Sequence, residues 1–230
     1  MARKAKIDNA ILKRLAREEK SRPVATRNIR KYFLIVCEGE KTEPNYFIAL
    51  KNDLPPNVLS VYNFDIDGTG KNTGSLIDHA IIRRDNASTH YDEVWAVFDR
   101  DSFKPNQFNE AIRKADASKI KTAWSNEAFE LWYVLHFIFN DSAISRTQYK
   151  PILDREISTH TGKDFSYQKN DPDMYKLLKE FGDHHLAIRF ATKLHKMWKD
   201  KKFDTHNPCT TVYLLVKKLC ALSTEMHCNL

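Results

Sequence analysis

The chain has 230 residues, 42% of them hydrophobic and 11% aromatic, which is enough for one full-sized domain with a packed core. No apolar run approaches the roughly 18 residues of a membrane span, and no signal-peptide pattern follows Met1. The four cysteines lack the short paired spacings of a zinc ribbon or a disulfide framework. We therefore predict a soluble, cytoplasmic protein with no membrane partner.

The net charge of +7 is concentrated at the amino terminus. Residues 1–30 contain ten Lys or Arg and three Asp or Glu, so the rest of the chain is balanced. A basic arm before a neutral domain favours contact with a polyanion such as nucleic acid. The alternative is a solubilising tail, helical over residues 10–20 and broken near Pro23.

Apolar runs and glycine turns predict strands that alternate with helices up to residue 140. In chain order, the predicted elements are a strand over 32–37, a helix from Pro44 to Leu50, a strand over 58–65, a helix over 75–84, a strand over 94–101, a helix over 108–115, a strand over 120–124 and a helix from Ser125 or Asn126 to about Phe139. This order predicts an α/β fold, with a mostly parallel sheet flanked by helices on both faces. We assign it to residues 31–140.

The pattern changes after residue 140. Helical periodicity recurs near residues 149–157, 174–180, 185–199 and 210–222, with no clear strand between them. We therefore predict that residues 141–230 form a helical extension packed on the same domain.

Acidic residues follow three of the predicted strands. Asp99 and Asp101 end the strand over 94–101, and alternation along an extended segment places both carboxylates on one side. Two such anions repel each other unless a cation lies between them, which favours a divalent-metal site. The alternative is a solvated turn that begins with Asp.

The other acids are Glu38, Glu40 and Glu43 after the first strand, and Glu127 and Glu130 after the fourth. If the strands are parallel, these acids converge at one edge of the sheet, where α/β proteins place their chemistry. Asn126 and Glu130 are predicted to share one face of the following helix. Clustered carboxylates are suited to Mg²⁺ or Mn²⁺, which could activate water against a phosphodiester.

Several lysines are candidates for contact with nucleic acid. The loop around Lys71 lacks the spacing of a Walker A motif. Lys196 and Lys199 belong to a lysine run over 193–202, which either guides a phosphate backbone or forms a solvated helix face.

Four segments resemble the RloB-like family over about residues 31–222. They are FLIVCEGEKTEPNYF at 33–47, DEVWAVFDRD at 92–101, SNEAFELWYVLHF at 125–137 and NPCTTV at 207–212. The chain departs from the family pattern at Glu127 and Ala128, where Pro-Cys is usual.

The resemblance implies a Toprim-like fold in which Glu38, Asp99 and Asp101 bind the metal. It also implies a lysine near the scissile phosphate, and Lys41, Lys71 and Lys121 are candidates among which the sequence does not choose. The resemblance further implies a role in bacterial anti-phage defence beside a partner ABC-type ATPase, and related Toprim effectors cut nucleic acid, including transfer RNA. The first hypothesis is therefore a metal-dependent nuclease acting on DNA or RNA, with Glu43 and Glu130 as a second ligand or the general base. The alternative is a non-catalytic subunit that binds nucleic acid or a partner. A homo-oligomer is compatible with either hypothesis.

Overall fold

The fold is built on one five-stranded sheet, seen in a computed structural model that describes residues 30–71, 73–100 and 105–227. The strands are β1 (Lys31–Cys37), β2 (Tyr62–Gly68), β3 (Glu93–Asp99), β4 (Lys121–Asn126) and β5 (Cys209–Thr210). Their spatial order is β2-β1-β3-β4-β5. The first four strands are parallel, and β5 runs antiparallel to β4. The predicted mostly parallel α/β fold is confirmed.

Helices cover both faces of this sheet. They are α1 (Thr42–Asn52), α2 (Pro56–Val61), α3 (Thr73–Asp85), α4 (Pro105–Ala117), α5 (Glu130–Val134), α6 (Arg146–Thr161), α7 (Met174–Phe181), α8 (His184–Met197) and α9 (Val212–His227), with a 3₁₀ turn at Phe203–Thr205. Among the described residues, no helix is both long enough and apolar enough to cross a bilayer.

The sheet divides the core into two layers, as the alternating side chains of the interior strand β1 show. Phe33 and Ile35 point into one layer, and Leu34 and Val36 point into the other, because side chains alternate along a strand. Helices α3 and α4 supply the layer that contains Leu34, while the remaining helices supply the layer that contains Phe33. Burial on both faces explains why β1 and β3 are continuous apolar runs.

The predicted strand over residues 58–65 is wrong in its first half. Pro56 occupies the first turn of helix α2, a position where its missing N–H costs no hydrogen bond. The Val58 and Leu59 amides both donate to the carbonyl of Pro55. The spacing of the apolar residues therefore follows a helical turn, and the strand begins only at Tyr62.

The helix predicted from residue 125 or 126 to residue 139 is also wrong at both ends. Asn126 is the last residue of β4 and pairs with Cys209, so it does not share a helix face with Glu130. The chain then passes through a cis peptide bond to Glu127. Helix α5 ends at Val134, and the chain then continues as irregular turns. Its bulky aromatic and β-branched residues are weak helix formers, and they are buried all round.

The segment after residue 140 is mostly helical, as predicted, but it also contains a strand. Cys209–Thr210 adds to the edge of β4, and two residues are too few to show a sequence alternation. The predicted domain boundaries at residues 30 and 140 stay predictions. The basic arm over 1–29 and its helix over 10–20 lie outside the described residues.

Candidate functional site

A cavity of about 390 Å³ opens at the carboxyl ends of β1 and β3. Five acidic residues line it, and we call this site the acidic pocket. Glu40 is exposed, whereas the other four, Glu38, Glu43, Asp99 and Glu130, are partly or fully buried. They come from segments far apart in the sequence. The sheet brings them together because parallel neighbouring strands end at the same edge.

Glu38 and Asp99 are linked directly across the two central strands. The Glu38 amide donates to the carbonyl of Val97 at 2.9 Å, which extends the pairing of β1 with β3. The Asp99 amide in turn donates to Glu38 Oε2 at 3.1 Å. The carboxylate of Glu38 is therefore held at the end of β3, beside that of Asp99.

Asp99 is the most constrained of the four acids. Its side chain is 8% exposed, and Asp99 Oδ2 accepts a hydrogen bond of 3.0 Å from the Phe129 amide. Asp99 Oδ1 is buried and has no hydrogen-bond partner among the described residues. Burial, followed by the charges of Glu43, Glu130 and Glu38, raises the pKa of Asp99 well above its usual range.

Glu43 lies in the first turn of α1 and is 5% exposed. The tight turn at Gly39 lets the carboxylate approach the backbone, because a β-carbon there would lie 2.1 Å from Glu43 Oε2. Burial and then the neighbouring Glu130 raise the pKa of Glu43. Backbone N–H groups, including that of Gly39, and the nearby Lys169 oppose the rise.

Glu130 is the first residue of α5 and is 8% exposed. The hydroxyl of Tyr167 donates to Glu130 Oε1 at 3.0 Å. A negative charge at the start of a helix is also favoured by the backbone dipole. Tyr167, in the loop that follows α6, therefore holds the Glu130 carboxylate in place.

Basic residues also line the acidic pocket, and one of them, Lys169, lies in the same loop. Lys169 and Arg146 line the cavity together with the predicted Lys41. Asn170 anchors the loop, because its Oδ1 accepts from Thr42 Oγ1 at 2.6 Å and its carbonyl accepts from Asn45 Nδ2 at 3.2 Å. Sequence reasoning missed Lys169 and Arg146, since no motif marks the loop of Lys169 or the start of α6, where Arg146 lies.

The remaining predicted residues lie elsewhere or outside the described residues. Asp101 is not among the described residues. Lys71 is exposed beyond β2 and does not line the cavity. Lys121 lies at the opposite end of the sheet, where its Nζ is 2.9 Å from Glu93 Oε2. Lys196 and Lys199 are exposed at the end of α8 and just beyond it, and they do not line the pocket either.

The acidic pocket combines crowded carboxylates with a basic wall. Oxygen-rich sites of this kind are suited to hard divalent cations, and the unpaired Asp99 Oδ1 is an available donor. Across residues 30–71, 73–100 and 105–227, no three His, Cys, Asp or Glu side chains form a group already arranged around a metal ion.

Comparison with known proteins identifies a family. The model described as RloB-like protein matches residues 33–219, which is more than half of the chain. This match confirms the family predicted from the four sequence segments. No curated protein and no solved structure matches the chain significantly.

Proposed function

The chain belongs to the RloB-like family, and we propose that its acidic pocket is the active site of a Toprim-like, Mg²⁺- or Mn²⁺-dependent nuclease. One observation carries this proposal. Four partly or fully buried carboxylates share a small cavity in which one of their oxygens, Asp99 Oδ1, has no hydrogen-bond partner among the described residues. Crowded, partly desolvated anions are costly in a folded protein unless a cation compensates them.

The donors of the pocket fit a divalent ion. Glu38 and Asp99 would hold it, and Asp101, outside the described residues, would complete the set. The carboxylate oxygens match the preference of Mg²⁺ and Mn²⁺ for hard ligands. When bound, such an ion supplies Lewis-acid activation and neutralises charge that develops on a phosphodiester.

The chain's own residues would carry the remaining work. Glu43 or Glu130 would orient the attacking water and accept its proton, because both carboxylates face the same cavity. Tyr167 would keep Glu130 in place through its 3.0 Å hydrogen bond. Positioning of this kind is a large part of phosphoryl-transfer catalysis.

The basic wall would bind the substrate. Lys41 and Lys169 are exposed and line the acidic pocket, so their ammonium groups can reach a phosphate bound above the acids. Arg146 adds a third cation at the rim. Cations beside a carboxylate cluster favour an anionic polymer as the substrate.

The biological setting follows from the family resemblance alone. It supports a role as the effector of a bacterial anti-phage system with a partner ABC-type ATPase. In such a pair, the ATPase would control when the nuclease acts.

The test measures metal binding and cleavage by the full chain. Supercoiled plasmid, messenger RNA and transfer RNA are incubated with wild type, Asp99→Asn and Glu38→Gln over a titration of Mn²⁺. We expect both variants to lose more than about 100-fold in cleavage, and to bind Mn²⁺ more weakly by calorimetry, because a direct ligand matters more than an outer-shell partner. The control is Asp78→Asn, an exposed acid in a surface ion pair with Lys114.

Unchanged cleavage by Asp99→Asn would overturn the proposal. Mn²⁺ binding with no turnover of any of the three nucleic acids would instead indicate a non-catalytic binding subunit.

A further inference from the structure

A second cavity, of about 710 Å³, lies along the outer edge of β4, toward the amino end of that strand. We call it the edge groove. Its walls come from β4, α4, α9 and the segment around the 3₁₀ turn. None of the acids of the acidic pocket lines it.

The edge groove exists because β5 covers only the end of β4. Strand β5 pairs with Ser125 and Asn126, and the Thr211 amide donates to the carbonyl of Trp124 at 2.7 Å. The chain then turns into helix α9 at Val212. Among the described residues, no strand continues along β4 to Thr122.

The backbone of Thr122 faces this gap. The carbonyl of Ser125 accepts a hydrogen bond from the Arg100 amide, on the side of β4 that faces β3. The carbonyl of Trp124 accepts from the Thr211 amide, on the opposite side of β4. Backbone directions alternate along a strand, so Thr122 faces the same way as Trp124, away from β3. Outside the strand ladders, no backbone hydrogen bond of the described residues involves Thr122.

The floor and walls of the edge groove are apolar. The apolar lining residues are Trp95, Ile112, Ile120, Trp124, Phe203 and Leu214. Leu214 is 38% exposed, which is unusual for a large aliphatic side chain in this protein. An extended segment that paired with Thr122 would place alternate side chains on this surface.

The rim of the edge groove carries a positive charge. Its basic residues are Arg113, Lys119, Lys121, Lys201 and Lys218, against a single acid, Asp116. Lys121 and Lys218 lie 2.9 and 3.5 Å from Glu93 and neutralise it. Within the described part of the chain, Arg113, Lys119 and Lys201 form no ion pair. The groove therefore keeps a surplus of cations.

We propose that the edge groove binds an extended, acidic segment of a partner protein, which adds to β4 as a strand opposite Thr122. Main-chain hydrogen bonds would supply affinity, the apolar floor would accept alternate side chains, and the basic rim would select for negative charge. This inference is independent of the proposed nuclease activity, because the groove and the acidic pocket share no lining residue.

Charge disfavours the occupants that the chain itself could supply. A second copy paired edge to edge would bring two basic rims together. The segment 1–30, with ten basic and three acidic residues, would meet the same repulsion. Nucleic acid is disfavoured on other grounds, because the outward backbone of Thr122 and the apolar lining complement an extended peptide and not a phosphate backbone.

The test begins with a display library of random eight-residue peptides selected on the full chain. We expect the selected peptides to be acidic, with apolar side chains at alternate positions. Synthetic copies are then titrated by fluorescence anisotropy against wild type, Thr122→Pro and the matched control Thr122→Val. Proline removes the N–H of residue 122, which faces away from β3, and leaves the hydrogen bonds between β4 and β3 intact. Peptide affinity should therefore fall about tenfold for Thr122→Pro, whereas Thr122→Val should bind like wild type.

Two further measurements keep the test decisive if Thr122→Pro does not fold. N-methylation of successive peptide amides should abolish binding at alternate positions only, since only alternate amides face β4. The double variant Arg113→Glu, Lys119→Glu should weaken binding about tenfold or more and reduce its dependence on salt.

Three results would overturn the proposal. One is a selection that yields no peptide, or peptides without acidic bias. Another is equal affinity for folded Thr122→Pro together with tolerance of N-methylation at every position. The third is displacement of a bound peptide by an oligouridine of equal length and similar affinity, which would assign the groove to nucleic acid.

Discussion

Gly39 and Glu43 are in such close contact that a β-carbon at position 39 would lie 2.1 Å from Glu43 Oε2. The turn after β1 therefore has to be free of a side chain for the acidic pocket to hold this carboxylate. The contact joins the residue that follows Glu38 to the first turn of α1. It makes the geometry of the site sensitive to a single methyl group.

The variant Gly39→Ala should displace the Glu43 carboxylate while leaving the fold in place. The clashing atoms are the end of a side chain, so the thermal midpoint should change little, whereas cleavage and Mn²⁺ affinity should each fall about tenfold or more. Cleavage assays and thermal unfolding of the same preparation measure the two effects.

The matched control for this variant is Gly162→Ala, because Gly162 has φ +67° and no neighbour within 4 Å of an added β-carbon. It should show the opposite pattern, with stability lowered by about 1 kcal/mol and activity unchanged. A large loss of stability in Gly39→Ala would contradict the prediction that the added methyl group displaces only the Glu43 carboxylate.

Lys169 should contact a substrate phosphate, because the hydrogen bonds of Asn170 to Thr42 and Asn45 hold this loop against the pocket. We expect Lys169→Met to weaken binding of single-stranded and duplex nucleic acid. The slope of log affinity against log salt should also fall by about one, the value for one lost phosphate contact.

The control is Lys163→Met, an exposed lysine earlier in the same loop that does not line the cavity. It should keep both the affinity and the salt slope of wild type. An unchanged slope in Lys169→Met would place this lysine outside the phosphate path.

His136 should make the protein less stable in acid. Its ring is 2% exposed, and burial, followed by the neighbouring His184, lowers its pKa from 6.5 to about 3. Between these two values the unfolded chain binds a proton that the folded chain does not, so the free energy of unfolding falls as the pH decreases. Above pH 6.5 the ring is neutral in both states, so His136 does not lower the free energy of unfolding. Below pH 6.5 the free energy of unfolding falls by up to about 1.4 kcal/mol per pH unit.

Urea unfolding at several values between pH 4 and pH 7 measures the effect. His136→Gln should have a flatter dependence on pH than wild type, whatever its absolute stability. The exposed His90→Gln should leave the dependence unchanged. Parallel curves for wild type and His136→Gln would show that His136 is not the group responsible.

The strands that build the acidic pocket were predictable because their signal is strong. The runs that became β1 and β3 are apolar on both faces, and such runs have few alternatives to a central parallel strand. Parallel pairing then fixes which ends meet. The proximity of Glu38 and Asp99 could therefore be predicted from local patterns, and the 3.1 Å hydrogen bond agrees with it.

Other parts of the site depend on contacts that no local pattern encodes. Asn126 has the character of a helix cap, yet a two-residue strand more than 80 positions later holds it in the sheet. Lys169 reaches the pocket only because Asn170 is bound by residues 125 and 128 positions earlier. Tertiary contacts of this range override short-range preference, so these roles were out of reach of sequence reasoning.

The hydrogen bond from Tyr167 to Glu130 spans 37 positions of the chain, and this has a consequence for biosynthesis. A ribosome that has just released Glu130 has already delivered every carboxylate that lines the cavity. The loop that clasps Glu130 and presents Lys169 emerges later. During synthesis there is thus a stage in which the acids have been made but the loop with Tyr167 and Lys169 has not. The site can be completed only after that loop has been synthesised.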